Sequence, residues 1–238
     1  MLAVNTSTRR GFLLQLASAG SRTFAGVGAQ RVLLVGNSLT TANDLPAMVQ
    51  SLSTGAGARR LECHAVAFPN YSLEDHWNRG DAARTIAGGG WSAVVLQQGP
   101  SALPESRLLL VDYARRFDAV IRRAGARTAL YMVWPAADRR GDFDAVSASY
   151  AAAAGAVGGL LLPVGDAWRA AWRREPQLAL YGADGFHPSR EGSYLAAVVI
   201  DAGLADGSPV GLPALGVLPA RAALLQQAAA DVMNAARR

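Results

Sequence analysis

Arg31-Val32-Leu33-Leu34-Val35-Gly36 is a short apolar run, half of its core β-branched, that stops at a glycine. That is the pattern of a strand buried on both faces. Downstream, Asn43-Asp44 offers an N-cap and Pro46 a first turn, which predicts a helix through Ser53. The same two signals then alternate along the chain. Further strands are predicted over Leu61–Ala67, 93–97, 128–134 and 160–164. Between and after them lie helical patterns at 73–87 (with breaks), 104–124, Phe143–Val157, 166–174, 189–201 and 220–236. Gly88-Gly89-Gly90 and Gly158-Gly159 close two of these helices, and 209–219 is a Gly- and Pro-rich loop. Strands alternating with helices imply βαβ units, hence an α/β fold with a five-stranded parallel, flavodoxin-like sheet and helices on both faces. In such sheets ligands bind beyond the carboxyl ends of the strands, near the point where strand order reverses. Chemistry is therefore to be sought just after each strand.

The 238 residues suit one domain, and a hydrophobic content of 51% against 17% charged provides for a sizeable core. No apolar stretch is long and uninterrupted enough to span a bilayer. The net charge is +5, yet all 23 basic residues are arginine in an Ala- and Gly-rich chain. Arg9, Arg10 and Arg22 lie near the N-terminus, and without them 20 arginines face 18 acids. No arginine cluster is interleaved with aromatics, so a nucleic-acid partner is not expected. The single Cys63 excludes an internal disulfide framework. Beside it stands His64, but neighbours on a strand point to opposite faces, so a buried thiol is expected rather than a metal pair.

Residues 1–29 read as an address. Arg9-Arg10-Gly11-Phe12-Leu13 resembles the twin-arginine export motif, and Val27-Gly28-Ala29 is a small-x-small cleavage pattern. The expected organisation is a signal peptide over 1–29 and one domain over 30–238, with a periplasmic or secreted product.

Two segments at opposite ends of the domain carry the chemistry. Gly36-Asn37-Ser38-Leu39-Thr40 puts a serine just beyond a buried strand, where a tight turn exposes its hydroxyl and backbone N–H groups can hold an oxyanion. Thr40 stands where a Gly-x-Ser-x-Gly elbow would have its second glycine. Gly182-Ala183-Asp184-Gly185-Phe186-His187-Pro188-Ser189 supplies the other half. A serine hydroxyl needs a base, and the base an orienting carboxylate. Asp184 can hold one imidazole nitrogen of His187 and leave the other for Ser38, while Ser189 can cap the next helix.

Taken together, Gly36-Asn37-Ser38-Leu39 and Asp184-Gly185-Phe186-His187-Pro188-Ser189 resemble the first and last blocks of the SGNH, or GDSL, hydrolases, with Asn37 replacing the usual Asp. Tyr71–Trp77, Trp91–Gln98 and Gly192–Ala197 look like a bacterial branch of that family. The resemblance implies a three-layer α/β/α sandwich, ester hydrolysis by Ser38, His187 and Asp184, and no cofactor or metal. It also implies an oxyanion hole built from the Ser38 N–H, a glycine after strand two and an asparagine after strand three. Here those positions depart from the pattern. After strand two come Pro69, Asn70 and Tyr71; Pro69 has no N–H, and Asn70 is the expected donor. After strand three come Gln97 and Gln98, either of whose amides can donate from one methylene further out; a purely structural role for both amides stands beside that reading.

His76 can reach the mouth of the site or sit on a helix face, and Trp134 can line a substrate wall or pack in the core. The expected activity is hydrolysis of a small-molecule or carbohydrate ester, O-acetyl groups on polysaccharide being the attractive case. Its rivals are acyl transfer at the same site, a weakened carbohydrate-binding module, and a metal hydrolase using His64, His76 and His187.

Overall fold

The computed structural model describes residues 1, 29–55 and 60–236. Strands β1 (Gln30–Gly36), β2 (Leu61–Ala67), β3 (Ala93–Leu96), β4 (Arg127–Tyr131) and β5 (Leu160–Leu162) form one parallel sheet in the order β2-β1-β3-β4-β5. The middle strands β1, β3 and β4 are buried almost throughout, which is why they read as unbroken apolar runs. Edge strand β2 alternates and carries Glu62 and His64 to the surface.

Nine α-helices flank this sheet among the described residues: α1 (Ser38–Thr41), α2 (Leu45–Gly55), α3 (Leu73–Arg79), α4 (Asp81–Ala87), α5 (Pro104–Arg123), α6 (Phe143–Val157), α7 (Val164–Arg174), α8 (Arg190–Ala205) and α9 (Pro219–Ala236). The crossover from β1 to β2 runs one way along the sheet; those from β2 to β3, β4 and β5 run the other. Since such crossovers are right-handed, α2 falls on one face and α3 to α6 on the opposite one. The helix contacts agree: α2 packs on α8 and α8 on α9, while α3 and α4 pack on α5 and α5 on α6. The architecture is the expected three-layer α/β/α sandwich. Helix α5 shows how the sequence builds it. Pro104 opens its first turn, and Leu110, Tyr113, Ala114, Phe117 and Ile121 recur at helical spacing on its buried face.

The break expected within 73–87 falls at Gly80, which takes φ +82° between α3 and α4. Two local expectations change. Strand β5 stops at Leu162 rather than 164, since Pro163 has no N–H; the Gly165 N–H instead reaches the Met132 carbonyl at 3.2 Å, and β4 ends one residue before Met132. Asn43-Asp44 does not lie in extended N-cap geometry: both residues have positive φ, +53° and +54°, in a 3-10 turn between α1 and α2. The twin-arginine motif lies outside the described residues.

β1 sits between β2 and β3, where the chain reverses direction across the sheet. The segments leaving β1 and β3 therefore flank the crevice where this class of sheet binds ligands.

Candidate active site

β1 ends at Gly36 because no side chain fits there. A Cβ at this position would stand 2.2 Å from Thr40 Oγ1 and 2.3 Å from Gln97 Oε1. Asn37 follows in extended geometry and caps α1, its Oδ1 accepting the Leu39 N–H at 3.1 Å. Its Nδ2 donates to the Tyr71 carbonyl at 3.1 Å, tying the turn after β1 to the one after β2. Asn replaces Asp without losing the cap, and its amide adds that second bond. Ser38 is thus the first residue of a helical turn, where backbone N–H groups lack intrahelical acceptors.

The second half of the site is a loop that folds largely on itself. Asp184 Oδ1 accepts the Phe186 and His187 N–H groups at 3.0 and 2.9 Å. Gly185 turns the chain at φ +69°, and the Gly182 N–H reaches the His187 carbonyl at 2.7 Å. A bridge between Tyr181 and Pro188 closes the loop, and Ser189 caps α8 as expected, its Oγ accepting the Gly192 N–H at 3.1 Å. Asp184 Oδ2 lies 2.5 Å from His187 Nδ1, and His187 Nε2 lies 2.8 Å from Ser38 Oγ. That imidazole bond, then the backbone N–H groups, lower the Asp184 carboxyl to about 2. Asp184 is therefore ionised at neutral pH and accepts, which puts the ring proton on Nδ1. Nε2 is left to accept from the serine hydroxyl.

The other expected site residues fall differently. Gln97 is fully buried. Its Oε1 accepts the Asn37 N–H at 2.9 Å and the Thr40 hydroxyl at 2.7 Å, and its Nε2 donates to the Gln98 carbonyl at 2.5 Å. Two donors on Oε1 fix the amide's orientation, and Gln97 braces the Ser38 turn from within. Gln98 Oε1 accepts the Leu73 N–H at 3.2 Å, which likewise orients that amide, and Nε2 donates to Ser101 Oγ at 2.7 Å. The amide has a second hydrogen beyond that bond. Asn70 is exposed in the turn after β2 with φ +61°, a conformation that favours glycine and then asparagine.

His76 and Trp134 do not line the mouth. His76 is fully buried beside the rings of Phe68 and Tyr71, and burial lowers its pKa. It stays neutral and its Nε2–H donates to the Gly36 carbonyl at 2.7 Å. Trp134 is also fully buried, stacked on Trp168 at 3.7 Å, and its Nε1–H donates to the Phe186 carbonyl at 3.0 Å. Both are braces, each with one N–H that reaches back to a site segment. His64 pairs with Glu62 at 2.8 Å on the edge strand, so the three histidines serve three separate places. Burial, Asp201 and Glu62 push the Cys63 thiol up to about 12, leaving it protonated and unreactive. Sequence reading missed Asn43, which bonds the loop after His187; nothing in local spacing signals a contact across 145 residues.

No protein-family model and no curated protein matches the chain. Among solved structures it is similar to an SGNH-hydrolase-class protein from Slackia heliotrinireducens, 29% identical over 74% of this chain and 99% of that one, with a TM-score of 0.63. The chain is similar to SGNH, GDSL-like, hydrolases and has their fold. A DUF4886 family protein from Bacteroides uniformis shares the fold at TM-score 0.73, 17% identical over 88% of this chain and 96% of that one. A lipase/acylhydrolase from Enterococcus faecalis shares it at 0.61, 15% identical over 74% and 96%.

Proposed function

We propose that this protein is an exported esterase of the SGNH type in which Ser38, His187 and Asp184 act as a catalytic triad. The observation that carries the reading is the unbroken chain Asp184–His187–Ser38, with gaps of 2.5 and 2.8 Å, assembled from segments 149 residues apart. In the first step His187 Nε2 takes the hydroxyl proton as Ser38 Oγ attacks the ester carbonyl. Asp184 holds the imidazolium that forms. The tetrahedral oxyanion is stabilised by the Ser38 N–H, the Asn70 N–H and the second hydrogen of the Gln98 amide. His187 then protonates the leaving alcohol, and water, activated by the same imidazole, releases the acid from the acyl-enzyme.

A cavity of about 280 Å³ adjoins the histidine loop, lined by Pro100, Leu103, Pro135, Ala136 and Phe186 among others. Its apolar wall and polar rim, where Arg139 pairs with Asp142 at 2.6 Å, suit one side of a small ester. The twin-arginine-like leader supports a periplasmic or secreted enzyme, and that compartment favours O-acetyl groups on carbohydrate as substrate. The test is hydrolysis of p-nitrophenyl acetate, butyrate and octanoate by the parent and by Ser38→Ala. Turnover by the parent that falls to background in the variant is expected, and the chain-length profile measures the cavity. Equal activity in both proteins would remove Ser38 as nucleophile.

A further inference from the structure

The two halves of the site come from opposite ends of the chain, and the 2.8 Å gap between Ser38 Oγ and His187 Nε2 must be set by something. The histidine loop fixes its own shape through Asp184, but those bonds say nothing of its position relative to Ser38. Asn43 stands five residues beyond Ser38, joined to it by the single turn of α1. Its Nδ2 lies 2.9 Å from the Pro188 carbonyl, 3.2 Å from the Ser189 carbonyl and 2.9 Å from Ser193 Oγ. Pro188 directly follows His187. Ser193 is buried, and its hydroxyl reaches back to the Ala42 carbonyl at 3.5 Å, closing the strap from the other side.

The backbone supplies an independent sign. Asn43 and Asp44 are consecutive non-glycine residues with φ of +53° and +54°. L side chains rarely adopt that conformation, and asparagine is among those that tolerate it best. Such a pair persists where surrounding contacts over-determine it, and these outliers gather at active sites. The turn aims the Asn43 amide at the histidine loop.

We propose that Asn43 is a positioning residue, a strap that sets the register of the His187 loop against Ser38. The inference rests on the triad reading above. Asn43 touches no reacting atom; it acts through Pro188 and through α1. The strap links the two segments without passing through the sheet, so its removal loosens the Ser38–His187 distance while leaving the core intact. Misplacements of about 1 Å at a reacting pair reduce rates by about a hundredfold.

The informative variant is Asn43→Gly, because glycine keeps the left-handed backbone at no steric cost and deletes only the amide. Asn43→Asp keeps the shape but turns a donor into an acceptor facing two carbonyls, and should be slower still. The full-length protein, both variants and Ser38→Ala are compared by the rate of covalent labelling with a fluorophosphonate, by kcat and KM on p-nitrophenyl acetate, by Tm, and by the downfield proton NMR signal of His187 Nδ1–H. For Asn43→Gly the expected result is labelling and kcat reduced about ten- to hundredfold, with KM within about twofold. The Tm and the downfield signal are retained, because the Asp184–His187 pair lies within one loop. Labelling within twofold of the parent overturns the proposal. So does loss of the downfield signal or a collapse of Tm, which would make Asn43 part of the loop's own fold. A parent protein that is not labelled at all removes the triad and this strap with it. That outcome is distinct from a labelled parent whose Asn43→Gly variant labels equally fast.

Discussion

Replacing Gln97 with leucine separates two roles that the family pattern and the geometry assign differently. Leucine is close in size, so the fully buried site is neither emptied nor overfilled. What disappears is one acceptor serving two donors and one donor serving one carbonyl. The Gln98 carbonyl stays satisfied, because the Tyr150 hydroxyl still donates to it at 2.7 Å. The Asn37 N–H does not; Asn37 is itself buried, and its N–H has no other acceptor in that turn. The Thr40 hydroxyl is buried as well, and the Gly36 carbonyl above it already accepts from Phe68 and His76. One or two buried donors left unpaired, at about 1–3 kcal/mol each, give a loss of about 1–6 kcal/mol. Against a typical total of about 5–15 kcal/mol that is a large fraction. Urea unfolding at pH 7 should show a lower midpoint with an unchanged slope. An oxyanion donor behaves otherwise: its loss lowers the rate by about 10²–10³ and leaves stability alone. If Gln97→Leu unfolds within about 0.5 kcal/mol of the parent yet loses that much rate, the bracing account is wrong.

Asp184→Asn should lower kcat by about 10⁴, as neutralising the orienting carboxylate does in serine hydrolases, read on p-nitrophenyl acetate. The Asp184 carboxyl is lowered to about 2, so its contribution to stability is full above 3.8 and is lost as pH falls toward 2; the variant's unfolding midpoint should vary less with pH over that window. Asp201 has the opposite sign. It is buried on α8, its Oδ1 without a hydrogen bond, and burial raises it from 3.8 to about 6. The native state therefore prefers the proton, and the stability this gives is full below 3.8 and lost as pH rises through about 6. At about 1.4 kcal/mol per unit the loss is about 3 kcal/mol, and Asp201→Asn should flatten the parent's decline between pH 4 and 7 in urea titrations. Gly36→Ala drives a methyl against Thr40 and Gln97; a destabilisation of about 1–3 kcal/mol or more is expected, visible as a Tm lowered by roughly 2–4 °C per kcal/mol.

Much of this protein was legible from local pattern. The five strands, their parallel pairing and the helices between them follow from apolar period and glycine stops, signals that need only near neighbours in sequence. Ser38, Asp184 and His187 stood out because a nucleophile after a buried strand and an Asp-x-x-His loop each have a local form. The Ser189 cap had one too. What lay beyond reach were the roles that depend on where a side chain's polar atom ends. Gln97 and Gln98 are neighbours of one residue type, yet on a strand end they face opposite ways, and only the packed turns reveal that one amide is closed inside the Ser38 turn. His76 reads as a helix-face or a site residue, and Trp134 as a core or a site residue. Folding buries both and turns their single N–H donors onto the Gly36 and Phe186 carbonyls. Asn43 has the sequence look of a helix cap, and its partners lie at the far end of the chain. The sequence by itself determined the layers and the candidate triad, because hydrophobic period and turn chemistry act over a few residues. The tertiary structure alone decided which polar side chains hold those groups in place, because such bonds join segments brought together only by the closing of the sheet.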